Sequence, residues 1–229
     1  MRWIAWAGLC GVVCGCSSSA YDADYARRLA DYRVASEFAP LRVEATTVGD
    51  GRAELRLPVI LANQLDGSET PRRATPPFIA DFPGFTAAYE GQIETPAGRF
   101  PVVLTVGVVP TAQQRKDEVA AAILRQVRLD EEFGKATWIK ARTLDDPAAA
   151  IRTWDVLELS GGQPFQVTKA GVVDEKRLPG TTEVWLSAEP GQKACVILAW
   201  RVPDDAAASL PVPATAQLTA RTVRIVPQP

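Results

Sequence analysis

The chain has no histidine among its 229 residues. That absence excludes Ser-His-Asp and Cys-His relays, imidazole acid–base work near neutral pH, and zinc or copper sites built on imidazole. Cysteine is scarce too: Cys10, Cys14 and Cys16 crowd the start, and only Cys195 lies beyond them. A lone thiol cannot form a thiolate metal cluster. Charge of one sign is also lacking, since 25 Lys and Arg face 27 Asp and Glu for a net −2. No basic surface is therefore offered to nucleic acid. The sequence holds no phosphate loop, dinucleotide glycine fingerprint, SxxK pair, GxSxG elbow or EF-hand loop. What remains open is hard-cation binding by carboxylates, carboxylate acid–base chemistry, or no chemistry at all.

What is there begins with a leader. Residues 3–15 are apolar or small behind Arg2, and Ser17-Ser18-Ser19 follows at once. The run is shorter than the roughly 20 residues that a membrane-spanning helix needs, which favours a cleaved signal. Val13-Cys14-Gly15-Cys16, with small Gly15 just before the thiol, resembles the lipobox of bacterial lipoproteins. It departs from the commonest pattern in having Val13 where Leu is usual and Cys14 in the middle. The resemblance implies a signal peptide over 1–15 and lipidation of Cys16, with the protein attached to a membrane through that lipid. Several acyl chains would anchor it stably. Ser17, in place of Asp, favours outer-membrane delivery in the cell envelope. An ordinary secretory signal and an uncleaved anchor are the competing readings.

Loss of Arg2 with the leader shifts the net charge from −2 to −3. With Cys16 acylated, Cys195 has no partner and no disulfide framework exists. Its setting, Ala194-Cys195-Val196-Ile197-Leu198, reads as a buried strand in which the thiol is a small inert hydrophobe. Apolar residues at 47% and charged ones at 23% match a globular domain and not a disordered one. The expected organisation is a lipidated tether or short helix over 16–40 and a single domain over 41–229.

Along that domain, Asp22, Tyr25, Leu29 and Tyr32 predict a helix over 22–37. Leu41–Ala45 and Ala53–Leu57 alternate around Gly49-Asp50-Gly51, a hairpin signature. Residues 63–84, rich in proline, read as a long ordered loop in which Phe78, Ile79, Phe82 and Phe85 pack on the body. Tyr89–Glu94 and Phe100–Val109 form a second hairpin. The run Val102–Val109 suits a central strand covered on both faces. The expected cover is a helix over 112–133, capped by Thr111 with Gln114 and striped by Val119, Ala120, Ile123, Leu124 and Val127. Gly134 is its expected stop.

A meander follows, with Trp138, Trp154, Trp185 and Trp200 at strand positions. Such rings fill a core; a sugar-stacking platform is the rival reading. Ser160-Gly161-Gly162 predicts a hairpin turn and not a phosphate nest. Asp204–Leu210 predicts one helical turn, and residues 215–226 a final strand or helix, with Gln217, Thr219 and Arg221 alternating with Leu218, Ala220 and Val223 in favour of the strand.

The acid pairs Asp130-Glu131-Glu132, Asp145-Asp146, Asp174-Glu175 and Asp204-Asp205 would bind Ca²⁺ only if several loops converged, and each also suits a turn or helix end. Arg72-Arg73, between Pro71 and Pro76-Pro77, is the most unusual polar spot, since proline flanks would present two guanidiniums to an acidic partner or phosphate. Salt bridging within the domain is the plainer reading.

The fold class expected is α+β, a mostly antiparallel sheet packed against one long central helix plus a shorter N-terminal helix. The element order over residues 78–226 resembles PsbP-like α/β/α domains, which implies a non-catalytic accessory role and carries no functional residues across. The function expected is a lipid-anchored envelope binding or structural module, non-enzymatic, with no cofactor, no metal, no nucleic acid, and an envelope protein as partner. A carboxylate-dependent hydrolase and a glycan- or small-molecule-binding lipoprotein are the alternatives.

Overall fold

The computed structural model describes residues 18–61, 63–65, 82–146 and 148–227. The leader, Cys16, and the stretch holding Arg72, Arg73, Phe78 and Ile79 lie outside the described residues. The chain divides into two compact units, residues 1–39 and 40–229.

The first unit contains helix α1, Ser18–Glu37. It starts four residues before the expected Asp22 and, at 20 residues, is the longest described helix. Alanine recurs through it, the residue with the best helix propensity. Asp24 also pairs with Arg27 at 2.6 Å and Arg28 at 2.8 Å, one turn on, worth a few tenths of a kcal/mol each. Tyr21, Tyr25, Leu29 and Tyr32 stand exposed on it.

In the second unit, β1 (Thr46–Val48) and β2 (Ala53–Leu55) pair across Gly49-Asp50-Gly51, with β10 (Arg224–Ile225) on the far side of β2. The expected first strand at Leu41–Ala45 is displaced: only Leu41 bridges, to Pro58. Gly49, at φ +64°, would drive a Cβ to 2.7 Å from Val108 Cβ, so the turn needs glycine there.

The larger sheet has seven strands in the order β3-β4-β5-β9-β8-β7-β6. They are β3 (Asn63–Leu65), β4 (Phe85–Thr95), β5 (Gly98–Pro110), β6 (Trp138–Thr143), β7 (Thr153–Lys169), β8 (Val172–Ser187) and β9 (Ala194–Pro203). All pairings are antiparallel. β5 takes the expected central place between β4 and β9. β7 also curls back to pair Thr168 with Arg99 of β5.

Ser160-Gly161-Gly162 forms no turn. It lies inside β7, and the hairpin turns instead at Ala170-Gly171, both at positive φ, as a two-residue loop matched to strand twist requires. The glycines serve close approach: a Cβ on Gly161 would overlap the Glu132 carboxylate, which accepts the Gly162 N–H at 2.7 Å.

One face of the sheet is covered by α2 (Lys116–Val127), whose Val119, Ala120, Ile123 and Val127 are buried against Leu157, Leu159, Val184, Leu186 and Ile197. At 12 residues it is shorter than the expected 112–133. Thr111 does not cap it, because its hydroxyl donates to the Gln192 carbonyl. The start is Arg115, whose N–H donates to Glu118 at 2.9 Å. The end comes at Arg128, and Asp130 then caps a separate 3-10 turn, Glu131–Phe133. The architecture is α+β with several helices, and none is a single long central one.

The opposite face packs Trp154, Trp185 and Trp200, all essentially buried, with β1, β2, α3 (Asp204–Ala207) and α4 (Val212–Ala220). Truncating such a ring to alanine costs about 3–5 kcal/mol. Trp138 is half-buried and donates its indole N–H to the Ala120 carbonyl, tying β6 to α2. The expected turn at Asp204 is present as α3. The expected strand over 215–226 is a helix first: Val212, Thr215, Ala216, Thr219 and Ala220 are buried at helical spacing behind Pro211. Two residues of β10 follow.

Candidate functional site

A groove of about 640 Å³ opens where β5 ends, β9 begins and β10 passes. Pro110-Thr111-Ala112, Gln192-Lys193-Ala194 and Ile225-Val226-Pro227 line it, with Ala150, Ile151 and Arg52. Most of this surface is aliphatic, and its volume lies within the range of small-ligand sites. Two cations flank it. Arg52 holds only long contacts, 3.4 Å to Asp50 and 3.4 Å to the Gly49 carbonyl. The exposed Lys193 ammonium pairs with no acid among the described residues. Among the described residues no Asp, Glu, Cys or Ser lines the groove, and the Thr111 hydroxyl already donates to the Gln192 carbonyl. The arrangement can hold an apolar body with an anionic end.

Two smaller cavities have a larger polar share in their walls than the groove does. One, about 370 Å³, lies at the start of α2 beside Arg115, Lys116, Ser187 and Cys195. The Cys195 thiol is buried in β9, as its setting indicated, and burial pushes its pKa up, which disfavours the reactive thiolate. The other, about 430 Å³, separates the tips of the β4–β5 and β7–β8 hairpins.

Titratable groups cluster away from the groove. Glu183 on β8 is 2% exposed and faces Trp200 on one side and Glu158 on the other in register. Burial raises its pKa, and Glu158 adds to the rise; the Trp185 indole N–H, at 2.9 Å, and Arg142 work against it. A raised acid beside a second acid is the pattern of a general acid–base pair. Yet neither residue lines the groove or either of these two smaller cavities.

Arg201 on β9 is also buried, with its guanidinium 4.2 Å from the centre of the Phe165 ring and 3.4 Å from Gln163 Oε1. Burial lowers its pKa to about 9. Gln163 in turn accepts from Thr182 at 2.7 Å and donates to the Gly180 carbonyl at 3.0 Å. The network joins β7, β8 and β9 and serves the fold.

The acid pairs do not converge. Asp130 and Glu132 hold Arg177, Asp146 holds Arg221 and the Ala148 N–H, and Asp204 opens α3. No group of three or more Cys, Asp or Glu able to hold a metal exists among the described residues. Cys16, Arg72 and Arg73 lie outside them. The sequence reading missed the groove residues Arg52, Lys193 and Ile225. No local motif marks them, because five separate stretches of chain meet there.

No family model matches the chain, and no curated protein matches it. Among solved structures it is similar to a protein of Bacteroides thetaiotaomicron VPI-5482, with 12% identity and a TM-score of 0.33 over 78% of this chain and 46% of that one. The chain thus spans less than half of the Bacteroides protein's length. It is also similar to the cyanobacterial PsbP (CyanoP) of Synechocystis sp. PCC 6803, with 12% identity and a TM-score of 0.40 over 80% of this chain and 92% of that one. The likeness to PsbP is faint, and no residue role crosses with it.

Proposed function

We propose that this chain is a lipid-anchored module of the bacterial cell envelope that binds a ligand and does not transform it. The observation that carries the binding role is the groove: an aliphatic lining, two flanking cations and, among the described residues, no carboxylate, thiol or serine hydroxyl. The ligand it fits is an amphipathic anion. Attachment rests on the lipobox at Cys16, two residues before α1. The exposed Tyr21, Tyr25 and Tyr32 of that helix suit the membrane–water interface, where tyrosine is enriched. The glycan-platform alternative draws no support from Trp154, Trp185 and Trp200, whose rings are buried.

Mass spectrometry of the membrane-extracted N-terminus tests the anchor. The expected result is an acylated Cys16 as first residue, and a Cys16→Ser chain released from the membrane fraction. An unmodified N-terminus in the membrane fraction overturns it. For the groove, 11-(dansylamino)undecanoic acid is the probe. Fluorescence enhancement on binding, weakened at least tenfold in the double variant Arg52→Ala/Lys193→Ala, is expected. Binding unchanged in that variant places the probe elsewhere and overturns the groove's role.

A further inference from the structure

The groove's walls bear on what kind of anion it takes. Three walls each contribute three consecutive residues, 110–112, 192–194 and 225–227. Along an extended segment, consecutive side chains point to opposite faces, so a cavity touching all three residues meets the segment along its edge. Among the described residues that edge is open for 225–227. β10 is the outer strand of its sheet, with no described strand beyond it. Arg224 is in register with Glu54, and the Val226 N–H donates to the Arg52 carbonyl at 2.8 Å. By the alternation of antiparallel pairing, the N–H and C=O of Ile225 then turn away from β2, towards the unpaired side.

An extended chain laid there would exchange both hydrogen bonds with Ile225, the mode in which a peptide adds a strand to a sheet edge. Pairing cannot run far. β10 has two residues, and Pro227 offers no N–H. A long strand is therefore not accommodated, but a chain end is. The same groove is lined by Lys193, whose ammonium pairs with no acid among the described residues, and by Arg52, whose guanidinium holds Asp50 and the Gly49 carbonyl only at 3.4 Å, the charge complement of a terminal carboxylate. The aliphatic lining suits the last one or two side chains.

Resting on the reading of the groove as a binding site, we infer that its ligand is the C-terminus of a protein chain: a free carboxylate held by Lys193 and Arg52, apolar terminal side chains in the groove, and one backbone pair to Ile225. A free alkyl carboxylate would use the cations and the lining but not the edge.

The test uses the mature chain with Cys16→Ser and a pool of acetylated hexapeptides carrying every combination of Ala, Val, Leu and Phe at the last two positions. The expected result is that peptides of the pool bind as free acids and bind at least tenfold more weakly as C-terminal amides. N-methylation of the peptide backbone at one of the terminal residues weakens binding at least tenfold. Lys193→Glu, a surface change, does likewise, and the Ile225 amide gains protection from hydrogen exchange in the complex. If acids and amides bind alike, or no N-methylation matters, the inference is overturned. If undecanoate binds in a Lys193-dependent way and no peptide does, the inference falls while the groove reading stands. If neither class binds, both fall.

Discussion

Asp155 and Glu183 sit on neighbouring strands, each nearly sealed from solvent, on opposite faces of one sheet, and their proton affinities move in opposite directions. Burial pushes both upward. At Asp155 this is overcome by the Ala141 N–H at 3.0 Å, Lys140 at 2.9 Å and Lys116 at 3.1 Å, which hold the carboxyl below its ordinary value. At Glu183 the donor is a neutral indole, and the nearby Arg142 is engaged over the Trp185 ring and with Glu158 at 3.4 Å. Burial therefore wins. The sign of a buried acid's shift is set by how many donors the surrounding elements deliver, not by depth. The α2 face receives its lysines from a helix start and an edge strand. The tryptophan face receives none.

The comparison breaks first at Asp155. Asp155→Ala leaves two ammoniums and the Ala141 N–H without their acceptor. We expect a loss of about 3 kcal/mol, held to that because the lysine heads reach water. Asp155→Asn, which keeps an acceptor for Ala141, should cost about half as much. Urea unfolding followed by tryptophan fluorescence reads both, and a loss under 1 kcal/mol for the alanine variant would remove Asp155 from the account.

The next effect is smaller and has the opposite sign. Because Glu183's folded pKa is raised, its contribution is complete below the ordinary value of 4.5 and fades as pH climbs through the folded value. Asp155, depressed from 3.8, stabilises above that value and loses its contribution as pH falls through the folded one. Glu183→Gln, which mimics the protonated form and keeps an acceptor for Trp185, should stabilise by about 1 kcal/mol at pH 8. It should change little at pH 4. Melting temperatures across that range check it, and an equal effect at both ends refutes the titration.

Ala141 gives a third and lesser handle. It holds φ +55° at the β6 bulge that delivers its N–H to Asp155. Ala141→Gly relieves the left-handed backbone and should raise stability by about 0.5 kcal/mol. A loss instead would mean that side-chain packing holds the bulge. Last, Lys193→Ala should shift stability by less than about 0.5 kcal/mol, which separates a binding role from a structural one in the same unfolding experiment.

Much of the scaffold was legible because its signals are periodic and local. The continuous apolar run of β5, the stripe of α2, the meander's tryptophans and the buried Cys195 stand where the residues indicated. The failures share a cause. Gly161-Gly162 looked like a turn because glycine is ambiguous between a turn and a place where another group comes close, and the group was Glu132, thirty residues earlier in the chain. Residues 215–226 lean towards a strand in the sequence because apolar and polar residues alternate there by coincidence with a helical stripe. Only burial against the sheet distinguished the two periods. The candidate site was illegible for a stronger reason: Arg52, Lys193 and Ile225 carry no motif and are unremarkable until the fold juxtaposes them.

The sequence by itself determined which chemistries lack their side chains, which stretches repeat with a strand or helix period, and the thiol-bearing leader from which attachment is proposed. Those are properties of residue type and spacing over a dozen positions. Tertiary structure alone decided which carboxylate keeps its proton, which glycine is a turn, and where an open strand edge meets two cations. Each of these depends on groups far apart in the chain coming within a few ångströms, where desolvation and hydrogen bonding act.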